Sequence, residues 1–428
     1  MQILNNPARA TWNALAERNI PGDAAIAERV AEIVDIVRND GDAALYHYAA
    51  LFDGAKLESL EVSAEEIAAA EGMVSDEVKC AIQRAAQNIE AFHSAQRPAE
   101  VDVCTTAGVR CVQRAVAIQR VGLYVPGGQA PLFSTVLMLA LPARIAGCKE
   151  VVLCTPQNSS GRIAPEILYS ASLCGVHRIY RIGGAQAIAA MAYGTESIPR
   201  VDKIFGPGNR YVTKAKQLVA DRVAIDMPAG PSEVLVIADE TANPAFVAAD
   251  MLSQAEHGPD SQAILVCNTQ DMASKCQAEV ECQAALLTRA NSVAQSLAHS
   301  RIVVLDSRSD MIDFANTYAA EHLIISMAQP WDVAQQITAA GSIFIGNYSP
   351  ESAGDYASGT NHTLPTSGYA RAFSGVNLDS YMRKITYQEL TPEGLSALAS
   401  TIVAMADAEG LDAHAAAVKV RVAQLKNA

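Results

Sequence analysis

The sequence predicts an α/β protein with two open, Rossmann-like parallel-sheet domains, a helical N-terminal region and a helical C-terminal tail. Three observations carry this expectation. From Val121 onward, short apolar runs alternate with helical stretches in two successive series, and strands separated by helices build parallel sheets. The length of 428 residues exceeds what one ordinary core holds. Hydrophobic residues make up 50% of the chain but aromatics only 5%, so the core is mostly Ala, Val, Leu and Ile, which suits α/β layers.

In chain order, residues 1 to about 100 read as helical. Ile26, Val30, Ile33, Val34 and Val37 recur at helical spacing between Ala24 and Arg38. Ser63 with Glu66 has the form of a capping box, and Ser75 is placed to cap a helix running to about Gln96. The first strand series is Val121–Val125, Glu150–Cys154, Arg178–Ile182 and Lys203–Phe205; the second is Val234–Ala238, Ala263–Cys267, Ile302–Leu305, Leu323–Ile325 and Ser342–Ile345. The segment Pro228-Ala-Gly-Pro-Ser232 is a natural crossing between the series. A Gly/Ser/Thr/Asn-rich stretch from Gly346 to about Phe373 reads as a long irregular segment, of the kind that is either functional or disordered. From Thr391 two helices, broken near Gly410, close the chain; this tail follows no predicted sheet and is suited to pack on another domain or subunit.

Charge and targeting signals narrow the function. A net charge of −14 argues against nucleic-acid and membrane-surface partners and favours a cationic small substrate. Nine cysteines without a C-x-x-C pair read as reduced thiols of a cytoplasmic protein. Met1-Gln-Ile-Leu-Asn-Asn6 has no basic segment followed by an apolar run, so no signal peptide is expected, and no apolar run is long enough to span a membrane.

Two features point to chemistry. Gln254 and His257 stand three apart before Gly258-Pro259, so both are expected to leave the last turn of a helix on one face. The negative end of the helix dipole there favours a cation. An imidazole and an amide oxygen make half a metal shell; Glu321-His322, Asp355, His362 and His414 are the downstream candidates. Asp412 is placed to cap a helix, which would put His414 in its first turn. A single His is usually a surface or core residue, and no pair here has a regular zinc spacing. The second feature is a trio of Gly-rich turns after strands: Tyr124-Val-Pro-Gly-Gly128, Gly183-Gly-Ala-Gln186 and Gly206-Pro-Gly-Asn209. Such turns let a phosphate approach the backbone and a helix N-terminus. None is the G-x-G-x-x-G fingerprint, and together they do not say which nucleotide is bound.

The motifs Val121-Gly-Leu-Tyr-Val-Pro-Gly-Gly128, Ala130-Pro-Leu-Phe-Ser-Thr135, Gly183-Gly-Ala-Gln-Ala187, Lys203-Ile-Phe-Gly-Pro-Gly-Asn209, Asp226-Met-Pro-Ala-Gly-Pro-Ser-Glu233, Gln254-Ala-Glu-His-Gly-Pro-Asp260, Glu321-His-Leu323 and Ser349-Pro-Glu-Ser-Ala-Gly-Asp-Tyr-Ala-Ser-Gly-Thr-Asn-His362 resemble, in order, those of histidinol dehydrogenases. The resemblance covers nearly the whole chain apart from the first 20 or so residues. It implies a cytoplasmic homodimer that oxidises L-histidinol to L-histidine through histidinaldehyde, using NAD and one Zn2+ per subunit, with the active site at the subunit interface. Carried over by position, it implies that Gln254, His257, Asp355 and His414 hold zinc, His414 coming from the partner through an exchanged tail. Glu321 and His322 would be the acid–base residues, and Tyr124, Gln186 and Asn209 would hold NAD. Ser232, His362 and Glu409 would contact substrate, together with Gln254, His257, His322, Asp355 and His414. The implied organisation is an N-terminal segment 1–22, a metal and acid–base domain of 23–122 and 233–375, an NAD domain of 123–232, and a tail of 376–428. Competing readings are a homologous dehydrogenase for another amino or sulfonated alcohol, a zinc hydrolase with Glu321 activating water, and a non-catalytic metabolite-binding protein.

Overall fold

The structure, a computed structural model, describes residues 1–18, 24–127, 131–228 and 230–427. The expectations that touch Gly128, Ala130, Ala229 and the 22/23 boundary lie outside these residues. In chain order the strands are β1 (Gln2–Asn5), β2 (Val101–Thr106), β3 (Val109–Ala117), β4 (Arg120–Tyr124), β5 (Glu150–Thr155), β6 (Arg178–Arg181), β7 (Lys203–Phe205), β8 (Ala224–Ile225), β9 (Glu233–Ala238), β10 (Gln262–Cys267), β11 (Arg301–Val304), β12 (His322–Ser326), β13 (Ser342–Ile345) and β14 (Met382–Leu390). Contacts divide the chain into two units, Met1–Gln96 with Ile118–Tyr381, and Arg97–Ala117 with Met382–Ala428.

The first unit holds two parallel sheets, β1-β11-β10-β9-β12-β13 and β6-β5-β4-β7-β8. Both predicted series are present. β9 and β10 are buried along their whole length, because helices cover both faces and exclude water from every side chain. In the five-stranded sheet the chain runs β4, β5, β6 outward, then returns to place β7 on the other side of β4. That reversal makes the carboxyl ends of β4 and β7 a topological switch point, where open α/β sheets bind ligands. Ser63 accepts from the Glu66 N–H (3.2 Å) and Ser75 from the Val78 N–H (3.3 Å), but the Glu66 carboxylate pairs with Arg181 and does not close the box.

Three expectations differ from the structure here. Gln2–Asn5 is not helical; it pairs with β11 at the edge of the six-stranded sheet, with Gln2 opposite Arg301. Four residues are too short to show a period, and the partner strand is some three hundred positions away. The N-terminal helices do not join the six-stranded half: Val30, Leu45 and Tyr48 share a core with Tyr124, Cys154 and Tyr180, and Ile82 and Ile89 share one with Val121 and Leu137. A boundary between residues 122 and 123 would also cut β4.

In the second unit, β2 and β3 form a hairpin through Ala107-Gly108, with Gly108 at φ +79°, and β14 pairs antiparallel along β3 from Met382–Ala117 to Leu390–Val109. The tail therefore begins in a sheet, contrary to expectation. The helices Pro392–Ala408 and Asp412–Asn427 follow, separated by Gly410 at φ +71°, a left-handed helix end that glycine adopts without strain.

Candidate active site

The amino ends of β9 and β12 carry the chemistry of the six-stranded sheet. The helix Pro244–Ala255 runs back toward these ends and places Gln254 in its last turn, buried. Glu256 caps this helix, so His257 lies one residue beyond it and not within it, its N–H donating to the Gln254 carbonyl (3.3 Å). Asp355 was expected in a loop. It sits instead on a short helix, Glu351–Tyr356, with Glu351 one turn earlier on the same face. Gly354 lets this helix lie flat on Phe344, since a Cβ there would come within 2.7 Å of the ring. His322 is the first residue of β12, and Glu321 precedes it.

These groups converge. His322 Nδ1 lies 3.7 Å from Glu321 Oε2 and 3.8 Å from Glu351 Oε1, and Nε2 lies 3.5 Å from Asp355 Oδ1. The Nε2–Asp355 contact lacks hydrogen-bond geometry, so Nε2 is a buried polar atom without a partner. The Glu233 N–H donates to Glu321 Oε2 (2.9 Å), which fixes that carboxylate. One ligating atom each from His257, Glu351 and Asp355 fall within 4.8 Å of one another. Gln254 reaches the same carboxylate: with its amide turned so that nitrogen donates to Glu351 Oε2 (3.0 Å), its oxygen accepts from the Glu233 N–H (3.1 Å).

Burial raises Glu321 and Glu351 each to about 8. Burial alone would lower His322, but Glu351, Glu321 and Asp355 outweigh it and raise the imidazole to about 10. Asp355 is held below the usual carboxylate range because His322 overcomes the cost of its burial. Burial lowers His257 and His362, which keeps both neutral and able to ligate. Glu321 and Glu351, crowded with the ionised Asp355 in a buried site, hold protons that a divalent cation would displace. The carboxylate oxygens of Glu351 and Asp355 with the neutral imidazole of His257 therefore fit a metal ion such as zinc.

Glu321 and His322 open onto a cavity of about 820 Å³. Ser232, His257, Glu321, His322, Asp355 and His362 line one side. Pro126, Pro207, Gly208 and Asn209 from the β4 and β7 switch point line the other, with Arg210 and Lys214 beside them. Basic side chains and a switch point suit the phosphates of a nucleotide. Asn209 has a structural task as well: its Oδ1 accepts from the Tyr211 and Val212 N–H groups and caps the helix Arg210–Leu218. Tyr124 and Gln186 are buried behind this wall, and the Tyr124 hydroxyl accepts from the Gly184 N–H (3.1 Å). Gly206 has φ +127°, and a Cβ there would strike the Tyr124 carbonyl oxygen. The buried Lys216 holds this turn by donating to the Gly206 carbonyl (3.0 Å) and pairing with Asp226, which accepts from the Gly206 N–H (2.8 Å).

His414 and Glu409 lie in the second unit, both exposed on this chain. Asp412 is not the cap expected for the helix carrying His414; it is the first residue of that helix. The residue that sequence reasoning missed is Glu351. Its signal was the spacing of four to Asp355 just after Pro350, which a presumed loop concealed.

The family model described as histidinol dehydrogenase matches residues 16–422. A histidinol dehydrogenase of Bacteroides fragilis is 56% identical over 427 residues, covering 100% of both chains. One of Escherichia coli is 55% identical over 410 residues, 95% of this chain and 94% of that one. The crystal structure of histidinol dehydrogenase from Elizabethkingia anophelis superposes with a TM-score of 0.97 at 52% identity, covering 100% of this chain and 99% of the other.

Proposed function

The chain belongs to the histidinol dehydrogenase family, and from that premise we propose that it oxidises L-histidinol to L-histidine through histidinaldehyde in two NAD-linked steps, the last of histidine biosynthesis. The observation that carries this reading is the convergence of Glu321, His322, His257 and Asp355 on one cavity at a nucleotide-type switch point, with Glu351 buried beside His322.

In this reading, residues 123–232 carry the NAD contacts, through Tyr124, Gln186 and Asn209, and residues 233–375 carry the metal and acid–base groups. Zinc would be held by Gln254, His257 and Asp355, with His414 supplied by the second subunit of a homodimer. Bound zinc polarises and orients an alcohol or carbonyl oxygen and carries no electrons, while bound NAD accepts a hydride at each oxidation. Ser232 and His362 line the cavity and would contact substrate, and Glu409 would meet the substrate ammonium from the partner side. His322 takes the alcohol proton as hydride leaves the carbinol carbon. Glu321, anchored through Oε2 by the Glu233 N–H, takes a proton from the water that adds to the aldehyde. The resulting gem-diolate loses the second hydride to NAD and its remaining hydroxyl proton to solvent, which gives the carboxylate. We add Glu351 to this set as the carboxylate that stabilises the His322 imidazolium. No described helix is long and apolar enough to cross a membrane; we assign the enzyme to the cytoplasm.

The test is an assay of purified protein with L-histidinol and NAD. Two NADH per histidinol, abolished by a chelator and restored by zinc, support the proposal. A yield of one NADH would mean a simple alcohol dehydrogenase, and no NADH would end the reading.

A further inference from the structure

The segment that carries His362 is fastened to the helix Asp76–Ser94, which packs on the helix Phe133–Ala146 and shares a core with the five-stranded sheet. Three contacts do this. Asn88 Nδ2 donates to the Ala357 carbonyl (2.7 Å). Gly359, at φ +112°, lies so close to the helix that a Cβ would sit 2.7 Å from the Asn88 carbonyl oxygen. The third is a buried polar network around His93 and Asn361, the neighbour of His362. His93 is fully buried and Asn361 is 7% exposed.

The hydrogen bonds define the protonation of this network. Asn361 Oδ1 accepts from the Thr363 N–H (3.0 Å), so the other end of the amide is the donor. That Nδ2 donates one hydrogen to the Met138 carbonyl (2.6 Å) and directs the other at His93 Nε2 (3.4 Å). Nε2 must then accept, so the ring proton sits on Nδ1, 3.0 Å from Gln96 Oε1. Gln96 Oε1 also accepts from the Leu378 N–H (2.9 Å). Every polar atom of the imidazole and of the Asn361 amide is thus used once or more, in a site where an unmet donor is costly. The arrangement has one tautomer and one amide orientation, which is what a rigid support for a neighbouring side chain requires.

We propose that His93 and Asn361 are positioning residues that set the place of His362 over the substrate, with His93 Nε2 acting as the acceptor that locks the Asn361 amide. The inference rests on the reading that His362 contacts substrate. It assigns neither residue a contact with the reacting atoms.

Two substitutions separate positioning from simple core filling. Asn at position 93 supplies a donor near the place of Nδ1 but no acceptor at the place of Nε2; Gln supplies an acceptor there. His93→Asn is expected to raise KM for L-histidinol about tenfold, as the loss of one buried hydrogen bond permits, while KM for NAD and metal content stay unchanged. His93→Gln is expected to bring KM for L-histidinol back to within about threefold of the parent. A KM for L-histidinol in His93→Asn equal to that of the parent would overturn the proposal. If His93→Asn does not fold, Gln96→Met at a half-buried position removes the acceptor of Nδ1–H and must raise the same KM; an unchanged value there overturns it too. A parent protein that makes no NADH from L-histidinol would sink the functional reading, whereas an active parent with an indifferent position 93 sinks only the positioning role.

Discussion

Glu351→Gln tests the charge that the structure places beside His322, the proposed base. The substitution keeps shape and removes one negative charge 3.8 Å from His322 Nδ1. Two unit charges at that distance interact by about 4 kcal/mol at an effective dielectric near 20, or a factor of about a thousand in imidazole basicity. A base feels only part of this in a transition state where the proton is partly transferred, so kcat on its high-pH plateau should fall about 10- to 100-fold. The sign of the pH effect follows from the same contact. Burial lowers the His322 pKa, and Glu351 is the largest influence raising it. Without Glu351 the imidazole loses its proton at lower pH, and the acid limb of the kcat profile moves down. The assay is NADH formation from saturating L-histidinol and NAD across pH, with metal content measured on the same samples. A plateau within threefold of the parent and an unmoved limb would refute the pairing of Glu351 with His322. Metal loss in step with activity would refute it as well, since Glu351 would then be a ligand.

Other consequences are as direct. Glu321→Gln retains an acceptor for the Glu233 N–H but cannot take a proton; histidinaldehyde should accumulate and the NADH yield should approach one per histidinol, while an unchanged yield of two would remove Glu321 from the water step. Metal-stripped protein should lose stability relative to zinc-loaded protein as pH rises. Glu321 and Glu351, raised from 4.5 to about 8, bind protons in the folded state that the unfolded chain has released between those values, and His322, raised from 6.5 to about 10, adds the same sign over its own window. A thermal-shift gap between the two forms that narrows from pH 5 to pH 8 would contradict this. Lys216→Met leaves the Asp226 carboxylate buried without its cation, which should cost about 3–5 kcal/mol. The readout is the denaturant midpoint, and a loss under about 1 kcal/mol would show that the Gly206 and Met227 N–H groups suffice for Asp226.

What was legible in the chain follows from the range of the forces involved. β5, β9 and β10 announce themselves as apolar runs because both faces of a covered parallel sheet are dry. Ser63 and Ser75 announce helix starts because a cap acts three residues away. The Gly-rich turns after β4 and β7 were legible as the carboxyl edge of a sheet for the same local reason, and they line the cavity. β1 and β14 were not, since each takes its meaning from a partner strand far along the chain, β11 and β3. Asn209 carried a second local task, capping a helix, that its place in a motif did not disclose. Glu351 looked like one acid among many, and only its burial beside His322 distinguishes it.

By itself the sequence determined the order of the strands and helices within the two parallel series, the chemical types at hand and their family likeness, because these depend on composition, period and neighbours within a few positions. The tertiary structure decided which acids face His322, which of them hold protons, and that the amino ends of one sheet confront the carboxyl ends of another across a single cavity. Charge state and metal affinity depend on distance and on the removal of water, and neither exists until residues remote in the chain have been packed together.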